Sequence, residues 1–365
     1  MVEYGINRIT PYGEGKMKRQ MVDAFAGLLL AVGLCAGCSR EQPVLHIYTW
    51  ADYIAPELIA AFEKAQDCQV VVDTFDTNEA MFERLKSGEV RYDLMTPSSY
   101  LIPAMAKAGM IRPLDKSLVP NVMANFDRSY EPLILDPTMK YSVPYVVTYT
   151  GVIYRKDKVG GAPVNSWRVY ETEALKGRMT LLSDMRETIG AALKCLGHSL
   201  NSADPKEIGE AADLVIRWKR NIAELDNEQF RTDIASSRLF VGHGYSTDAI
   251  QLEMDSDQVG FSLPKEGFSA AFDEFVVAAE TPCPELAHRF IDFLYDAGNA
   301  RKNIEFVLGA MPVASALAAL EPELRSKVVI PPETMRRGEV IRGFDDRPEV
   351  SGLYEKAWER IQTAK

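Results

Sequence analysis

The chain has 365 residues, with 52 aspartates and glutamates against 41 lysines and arginines, and its net charge is −11 at pH 7. This acidic balance disfavours partners such as nucleic acid and anionic membrane surfaces, and it is compatible with a cationic ligand. The length is sufficient for two domains, each with its own hydrophobic core.

The first predicted element is an export signal. The basic pair Lys18-Arg19 precedes an almost uninterrupted apolar stretch at 24–34, which is too short to span a bilayer comfortably. The run Ala36-Gly37-Cys38 resembles the end of the lipobox in bacterial lipoprotein signals. We therefore expect residues 1–37 to be an N-terminal extension and signal peptide, with Met17 as the start, and Cys38 to be a lipid anchor outside the cytoplasm. The alternative is a buried N-terminal helix.

Strands and helices alternate from residue 44 onwards. The apolar patterns predict strands at 45–49, 69–75 and 92–95, and helices at 56–66, from 78 and at 102–108. Alternation at this spacing favours a mostly parallel sheet with helices on both faces. The segment 113–138 is rich in proline and asparagine, which predicts an irregular connection.

A second α/β region is predicted beyond the connection. A long β-rich run at 141–154 is expected to carry the chain into a second domain. The patterns after it predict strands at 179–182, 239–241 and 275–278, and helices at 188–196, 208–218, 284–295, 297–307 and 353–363.

Candidate binding residues follow the predicted strands, because ligands on open α/β sheets lie beyond the carboxyl ends of the strands. Trp50, Asp52 and Tyr53 follow the first strand, and Ser98 and Tyr100 follow the third. An indole, a carboxylate and a phenol together suit a cation, since the carboxylate supplies charge and the rings supply π faces. The alternative for the first segment is an aromatic pair that caps the core.

Five more candidates, four acids and a phenol, lie later in the chain. Asp184 and Glu187 follow the strand at 179–182, where positions i and i+3 of a helix share a face. The same spacing also fits a helix cap with a capping box. Tyr245 and Asp248 follow the strand at 239–241. Asp273 has apolar neighbours and is costly to bury without a partner, which is either a cationic ligand or an internal arginine.

Signatures of catalysis and of metal binding are missing from the sequence. It contains no nucleophile elbow, HExxH pair, P-loop or kinase signature, and its cysteine spacings match no zinc pattern. Cys68, Cys195 and Cys283 allow at most one disulfide. We expect no enzyme activity, cofactor or metal, although paired carboxylates could in principle serve a glycosidase.

Together these segments resemble the extracytoplasmic spermidine/putrescine-binding proteins of polyamine ABC transporters, over roughly residues 44–365. The matching stretches are LHIYTWADYIAPEL, FDTNEAMFERLKSG, YDLMTPSSYLIPAMAKAGMI, YSVPYVVTYTGVIY, LLSDMRETIGAALKCLG, ADPKEIGEA and LPKEGFSAAFDEF. Each motif is moderately specific, and their order and spacing make the set strong.

The resemblance implies a two-lobed α/β periplasmic-binding-protein fold, in which each lobe is a mixed, mostly parallel sheet flanked by helices with the ligand cleft between. The implied lobes are 38–147 plus 273–317 and 148–272 plus 318–365. The implied role is to bind putrescine or spermidine at the periplasmic or cell-surface side and to deliver it, by lobe closure, to ABC permease subunits in the inner membrane.

The resemblance also implies a ligand set, carried over position by position. Its members are Trp50, Asp52, Tyr53, Ser98, Tyr100, Asp184, Glu187, Tyr245, Asp248 and Asp273. The chain departs from the family where Tyr245 and Ala271 replace tryptophans, Ala51 replaces a polar residue and Ile341 stands near a ligand glutamine. The alternatives are a receptor for another small cation or an anion, a carboxylate-based hydrolase, or an interaction lipoprotein that has lost the ligand.

Overall fold

The computed structural model describes residues 42–88, 90–343 and 347–364, and within them ten strands form one sheet. The predicted signal peptide and Cys38 lie outside the described residues. The strands are β1 (Val44–Thr49), β2 (Gln69–Thr74), β3 (Leu94–Met95), β4 (Ser142–Arg155), β5 (Met179–Leu181), β6 (Glu224–Leu225), β7 (Val241–Tyr245), β8 (Val259–Ser262), β9 (Phe268–Val277) and β10 (Gly338–Val340).

The sheet consists of two halves that share the long strand β4. Its order is β2-β1-β3-β9-β4-β7-β5-β6, with β10 paired to β9 and β8 paired to β4. Residues 142–149 of β4 pair with β9, whereas residues 150–154 pair with β7. The outer strands of both halves run parallel to their neighbours, and the central pairs of β4 are antiparallel. Most candidate ligand residues follow the carboxyl ends of β1, β3, β5 and β7, whereas Tyr245 is the last residue of β7 and Asp273 lies within β9.

The helices cover the faces of this sheet. They are α1 (Pro56–Gln66), α2 (Asn78–Ser87), α3 (Ile102–Lys107), α4 (Pro120–Asn125), α5 (Met185–Cys195), α6 (Pro205–Lys219), α7 (Phe230–Ala235), α8 (Ser246–Asp255), α9 (Pro284–Leu294), α10 (Ala297–Val307), α11 (Ala314–Ala318), α12 (Pro322–Val328), α13 (Pro332–Met335) and α14 (Pro348–Thr363).

Local sequence explains where α2 begins and ends. The side chain of Thr77 accepts the N–H of Ala80, which satisfies one of the unpaired donors of the first turn. Gly88 ends the helix at φ +69°, in the left-handed region that costs a glycine little. This cap places Asn78 and Glu79 in the first turn, at the end of the helix that faces the strand ends.

Each half of the sheet has apolar packing of its own. Tyr48, Phe75 and Met81 belong to a buried cluster on the first half, and the Tyr48 ring stacks on Tyr92 at a centroid distance of 4.3 Å. On the second half, Phe230 belongs to another cluster with residues of β4, α7 and α8. A larger cluster continues under both halves, since β4 and β9 contribute to it. Pro43–Lys365 accordingly forms one compact unit.

The structure confirms most predicted elements, corrects three of them and adds three short strands. The helices at 56–66 and 297–307 have the predicted bounds. The strand predicted at 239–241 lies at 241–245, and the one predicted at 275–278 spans 268–277, because Ser269, Ala270 and Ala271 dilute its apolar signal. The segment 113–138 is not wholly irregular, because Pro120 opens α4. Strands β6, β8 and β10 are too short to give a periodic signal.

The described part of the chain contains no helix that is both long and apolar enough to cross a membrane.

Candidate functional site

Asp273 is the centre of a first acidic pole, which we define as Asp273 with the hydroxyls of Tyr53 and Ser98. The carboxylate lies in β9 and is 8% exposed. Its Oδ1 accepts a hydrogen bond from the Ser98 Oγ (2.6 Å), and its Oδ2 accepts one from the Tyr53 hydroxyl. Burial raises the pKa of Asp273 to about 6, although both hydroxyls favour the ionised form. Both partners are neutral donors, so the negative charge of this pole is not cancelled.

Asn78 and Trp50 lie next to this pole, where Asn78 fixes the position of Ser98 and Trp50 supplies an aromatic ring. The Asn78 amide donates to the Ser98 Oγ (3.0 Å) and accepts the Ser98 backbone N–H (3.0 Å), which fixes the serine that contacts Asp273. The Trp50 indole N–H donates to the carbonyl of Thr96 (3.0 Å), and its ring packs on Phe75 at a centroid distance of 4.4 Å. The indole is therefore pinned at the carboxyl end of β1, where it offers an aromatic wall beside the carboxylate.

A second acidic pole, defined as Asp184 and Glu187, opens helix α5 in the other half. The Asp184 carboxylate accepts the backbone N–H groups of Arg186 (2.9 Å) and Glu187 (3.0 Å), so it is the helix cap that the spacing allowed. The Glu187 carboxylate is 6% exposed and accepts hydrogen bonds from Thr150 (2.9 Å) and Ser269 (2.6 Å). The cap and the buried glutamate thus coexist on one helix turn.

The pKa values of this pole are raised by its burial. Burial, with a further contribution from the charge of Asp184, raises the pKa of Glu187 to about 7, against the opposing effect of Ser269 and Thr150. Burial also raises the pKa of Asp184, and the charge of Glu79 adds to this effect. A cation placed here would favour the ionised form of both groups.

Glu79 and Tyr100 bring the first half of the sheet to the second pole. The Tyr100 hydroxyl donates to the Glu79 Oε1 (3.1 Å). Burial raises the pKa of Tyr100, and the charges of Glu79 and then Asp184 add to this shift. Glu79 lies in the first turn of α2 and Asp184 at the start of α5, so carboxylates from the two halves approach one another. The sequence interpretation missed Glu79, although it lies in the matched stretch FDTNEAMFERLKSG.

Tyr245 lies among the acids of the second half. It is the last residue of β7 and the residue that precedes α8. Burial raises the pKa of Tyr245 well above the ordinary range, and the charges of Asp184, Glu187 and Asp248 raise it further. The charges of three acids thus act on this phenol, and an aromatic ring near carboxylates suits a cation.

Asp248 and Asp52 are placed differently from the other candidates. Asp248 forms an ion pair with Arg231, with 3.1 Å between Nη1 and Oδ1, so an internal arginine already partners this acid. Asp52 is exposed, at a left-handed φ of +53°. The ten predicted ligand residues thus comprise eight around the two poles, one acid paired internally and one at the surface, and their role in binding stays a prediction.

Arg186 lies between the two acids in sequence, and its charge opposes part of the upward pKa shift of Asp184 and Glu187. Its guanidinium donates to the Arg342 carbonyl (2.8 Å) and to the Asn201 Oδ1 (3.1 Å), and it lies 4.6 Å from the centroid of the Tyr354 ring. The C-terminal segment and α14 therefore hold this cation. Among the described residues, no group of three or more His, Cys, Asp and Glu side chains is arranged to hold a metal ion.

A mixed α/β sheet of two halves joined by a long strand, with acids and aromatic rings near the strand ends, is the architecture of the extracytoplasmic solute receptors. The sequence model of the bacterial extracellular solute-binding proteins matches residues 57–331. The chain belongs to this family.

Individual relatives agree with this assignment over almost the whole length. A putrescine/cadaverine-binding protein of Pseudomonas aeruginosa is 32% identical over 351 residues, which cover 92% of this chain and 98% of that protein. The crystal structure of a spermidine/putrescine ABC transporter substrate-binding protein from Streptococcus pneumoniae has a TM-score of 0.78 and 29% identity, and the match covers 88% of this chain and 100% of that one.

A lipoprotein of Treponema pallidum has a TM-score of 0.79 and 28% identity, and the match covers 87% of this chain and 99% of that one. These structures confirm the predicted two-lobed periplasmic-binding-protein fold.

Proposed function

We propose that the protein is an extracytoplasmic receptor for a linear polyamine, of the putrescine or spermidine type, which it delivers to an ABC importer. The observation that carries this proposal is the pair of acidic poles, whose carboxylates accept hydrogen bonds from hydroxyls and backbone N–H groups. The relative that is 32% identical carries the name of a putrescine/cadaverine-binding protein, which supports the same ligand class.

The chemistry of a diamine matches this arrangement. A linear diamine has an ammonium group at each end and methylenes between, so it needs separated carboxylates and an apolar wall. Asp273 takes one ammonium group and the second pole takes the other. The rings of Trp50, Tyr100 and Tyr245 cover the methylenes. Because the poles belong to different halves, the ligand stabilises the closed arrangement of the lobes through its contacts with both.

The proposed lobes are 38–147 plus 273–317 and 148–272 plus 318–365. The change of pairing in β4 from β9 to β7 supports a crossing near residue 149. Asn303 of α10 accepts the backbone N–H of Ala55 (3.0 Å), which joins this helix to the first half. Arg360 of α14 pairs with Asp213 of α6 (2.6 Å), which joins the C-terminal helix to the second half.

The proposal includes a lipid anchor at Cys38 and permease subunits as partners. The lipobox-like run before Cys38 supports the anchor, as does the structural similarity to a lipoprotein of Treponema pallidum. Metabolic labelling with a palmitate analogue tests it. The full chain is expected to incorporate the label and to fractionate with membranes, and Cys38→Ser is expected to do neither. Equal labelling of both would remove the anchor from the proposal.

A ligand panel tests the binding function. We expect putrescine, cadaverine, spermidine or spermine to raise the melting temperature, and γ-aminobutyrate and glutamate to leave it unchanged. A ligand at 100 times its Kd stabilises the folded state by about 2.7 kcal/mol, which is readily visible in a thermal melt. Calorimetric titration then gives the stoichiometry, for which we expect one ligand per chain. The proposal would be refuted if only the anions raised the melting temperature, or if none of the ligands did.

The absence of enzyme activity is a further part of the proposal. After incubation with the purified protein, putrescine and spermidine are expected to be recovered unchanged by mass spectrometry. Turnover of a glycoside panel would instead favour the hydrolase that paired carboxylates permit.

A further inference from the structure

We propose that Arg231 is an internal counter-cation of the binding site, which pairs with the carboxylate of Asp248 and thereby favours ligands with two ammonium groups over ligands with three. The inference rests on the proposed polyamine function. The Arg231 Nη1 lies 3.1 Å from the Asp248 Oδ1. The acid is the buried partner, since its side chain is 19% exposed and that of Arg231 is 54% exposed.

Asp248 belongs to the site by its position. It lies in the first turn of α8, the helix that begins directly after Tyr245. Its charge acts on the Tyr245 phenol together with the charges of Asp184 and Glu187. Three acids of the second half therefore act on one phenol. If Arg231 did not pair with Asp248, this carboxylate would be available to a ligand ammonium group in addition to the carboxylates of the two poles.

The partners of the acids set Asp248 apart from the others. Asp273 and Glu187 accept hydrogen bonds from neutral hydroxyls, and Asp184 accepts backbone N–H groups. Such donors stabilise a carboxylate and leave its negative charge available to a ligand. Asp248 instead pairs with a guanidinium, so a further ammonium group would have to compete with Arg231 for this carboxylate.

Two available poles match a diamine, whereas a triamine brings a third ammonium group. That group must either displace Arg231 from Asp248 or remain in water. The pair is half-exposed on the side of the arginine, so its displacement costs only a modest amount, and the expected discrimination is about fivefold rather than complete. Arg231 is thus a specificity-determining residue that touches the acid and not the diamine.

The test compares Arg231→Gln with the matched control Arg238→Gln. Arg238 follows the same short helix α7 and pairs with Asp233 and Glu224, which are not acids of the site. Putrescine and spermidine are titrated calorimetrically at pH 8 into the wild type and both variants. For Arg231→Gln, we expect spermidine to bind about fivefold more tightly and putrescine to change less than twofold. For Arg238→Gln, the ratio of the two affinities is expected to stay at the wild-type value.

A double variant separates specificity from general electrostatics. Arg231→Gln with Asp248→Asn is expected to lose the gain for spermidine, because the released carboxylate is no longer charged. An unchanged affinity ratio in Arg231→Gln, an equal gain for both ligands, or a gain that persists in the double variant would each overturn the inference. Failure of the wild type to bind any polyamine would instead overturn the proposed function, and this inference with it.

Discussion

Asp273→Asn is the substitution that most directly tests the link between the buried acid and ligand binding. The amide keeps the volume of the side chain, and its oxygen and nitrogen can still engage the hydroxyls of Tyr53 and Ser98, which rotate to donate or accept. The change therefore removes the charge and little else. We expect the variant to fold and to bind polyamines poorly.

The magnitude follows from the partners of Asp273. Removing one member of a buried charge pair costs about 2–5 kcal/mol, which corresponds to a Kd about 30-fold to several-thousand-fold weaker. The free energy of unfolding of the ligand-free protein, by contrast, is not expected to fall in this variant. The folded-state pKa of Asp273 is about 6, against an ordinary value of 3.8. The unfolded chain therefore releases this proton at a lower pH than the folded chain.

The sign of the stability effect follows from this difference. Between pH 4 and pH 6 the folded state retains a proton that the unfolded state has lost, so the free energy of unfolding falls as pH rises through this window. At pH 7 the ionised buried carboxylate costs the ligand-free protein about 3 kcal/mol. Asp273→Asn removes this cost, so the ligand-free variant is expected to be at least as stable as the wild type at neutral pH.

Two measurements check these expectations. Calorimetric titration with the best polyamine gives the loss of affinity, and urea unfolding at pH 7 without ligand gives the stability. Asp255→Asn is the matched control, because it removes the same charge from an exposed position at the end of α8. Unchanged affinity in Asp273→Asn would remove this residue from the site. A lower stability that parallels the lost affinity would show that the effect is structural.

Acidification from pH 7.5 to pH 5.5 is expected to weaken polyamine binding at least tenfold, because the cation needs the ionised forms of Asp273 and Glu187. The pKa values of these groups are raised to about 6 and about 7. An affinity that does not change with pH in calorimetric titrations would contradict this prediction. Burial raises the pKa of Glu274 to about 7, so its ionised form destabilises the fold at pH 8. Glu274→Gln is therefore expected to raise the free energy of unfolding by up to about 3 kcal/mol at pH 8 and to change it little at pH 5, which urea unfolding at both pH values checks. Gly151→Ala is expected to cost about 1–3 kcal/mol of unfolding free energy, because its Cβ would lie 2.7 Å from the Ser262 carbonyl oxygen. Gly209→Ala in α6 is expected to stabilise the fold by up to about 1 kcal/mol, because its Cβ would meet no atom within 4 Å beyond the adjoining backbone of its own helix; equal melting temperatures would refute the packing argument.

Much of the fold could be predicted from neighbouring residues along the chain. Helices such as 56–66 and 297–307 are marked by apolar periodicity and by their first residues, and these signals span only a few turns. The rule that ligands lie beyond the carboxyl ends of strands then selected Trp50, Ser98 and Asp184 before any contact was known. The order of the matched stretches supplied the fold family.

The identity of each acid's partner could not be predicted in the same way. Tyr53 and Asp273 are 220 residues apart in sequence, and Ser269 and Glu187 are 82 apart. No local pattern encodes such pairs, because they exist only once β4 and β9 have joined the two halves. Sequence reasoning left open whether Asp273 faces an arginine. The structure gives Asp273 two hydroxyls, and it gives the arginine to Asp248.

The sequence alone determined which chemical groups stand at the strand ends, since strand and helix periodicity and the positions of the acids are properties of the chain itself. The tertiary structure alone decided which of those acids keep an available charge and which side chains surround them. It brought Glu79 to Tyr100 and Arg231 to Asp248. The physical reason is that the charge state of a carboxylate depends on its burial and its donors, and both are fixed only when distant segments pack together.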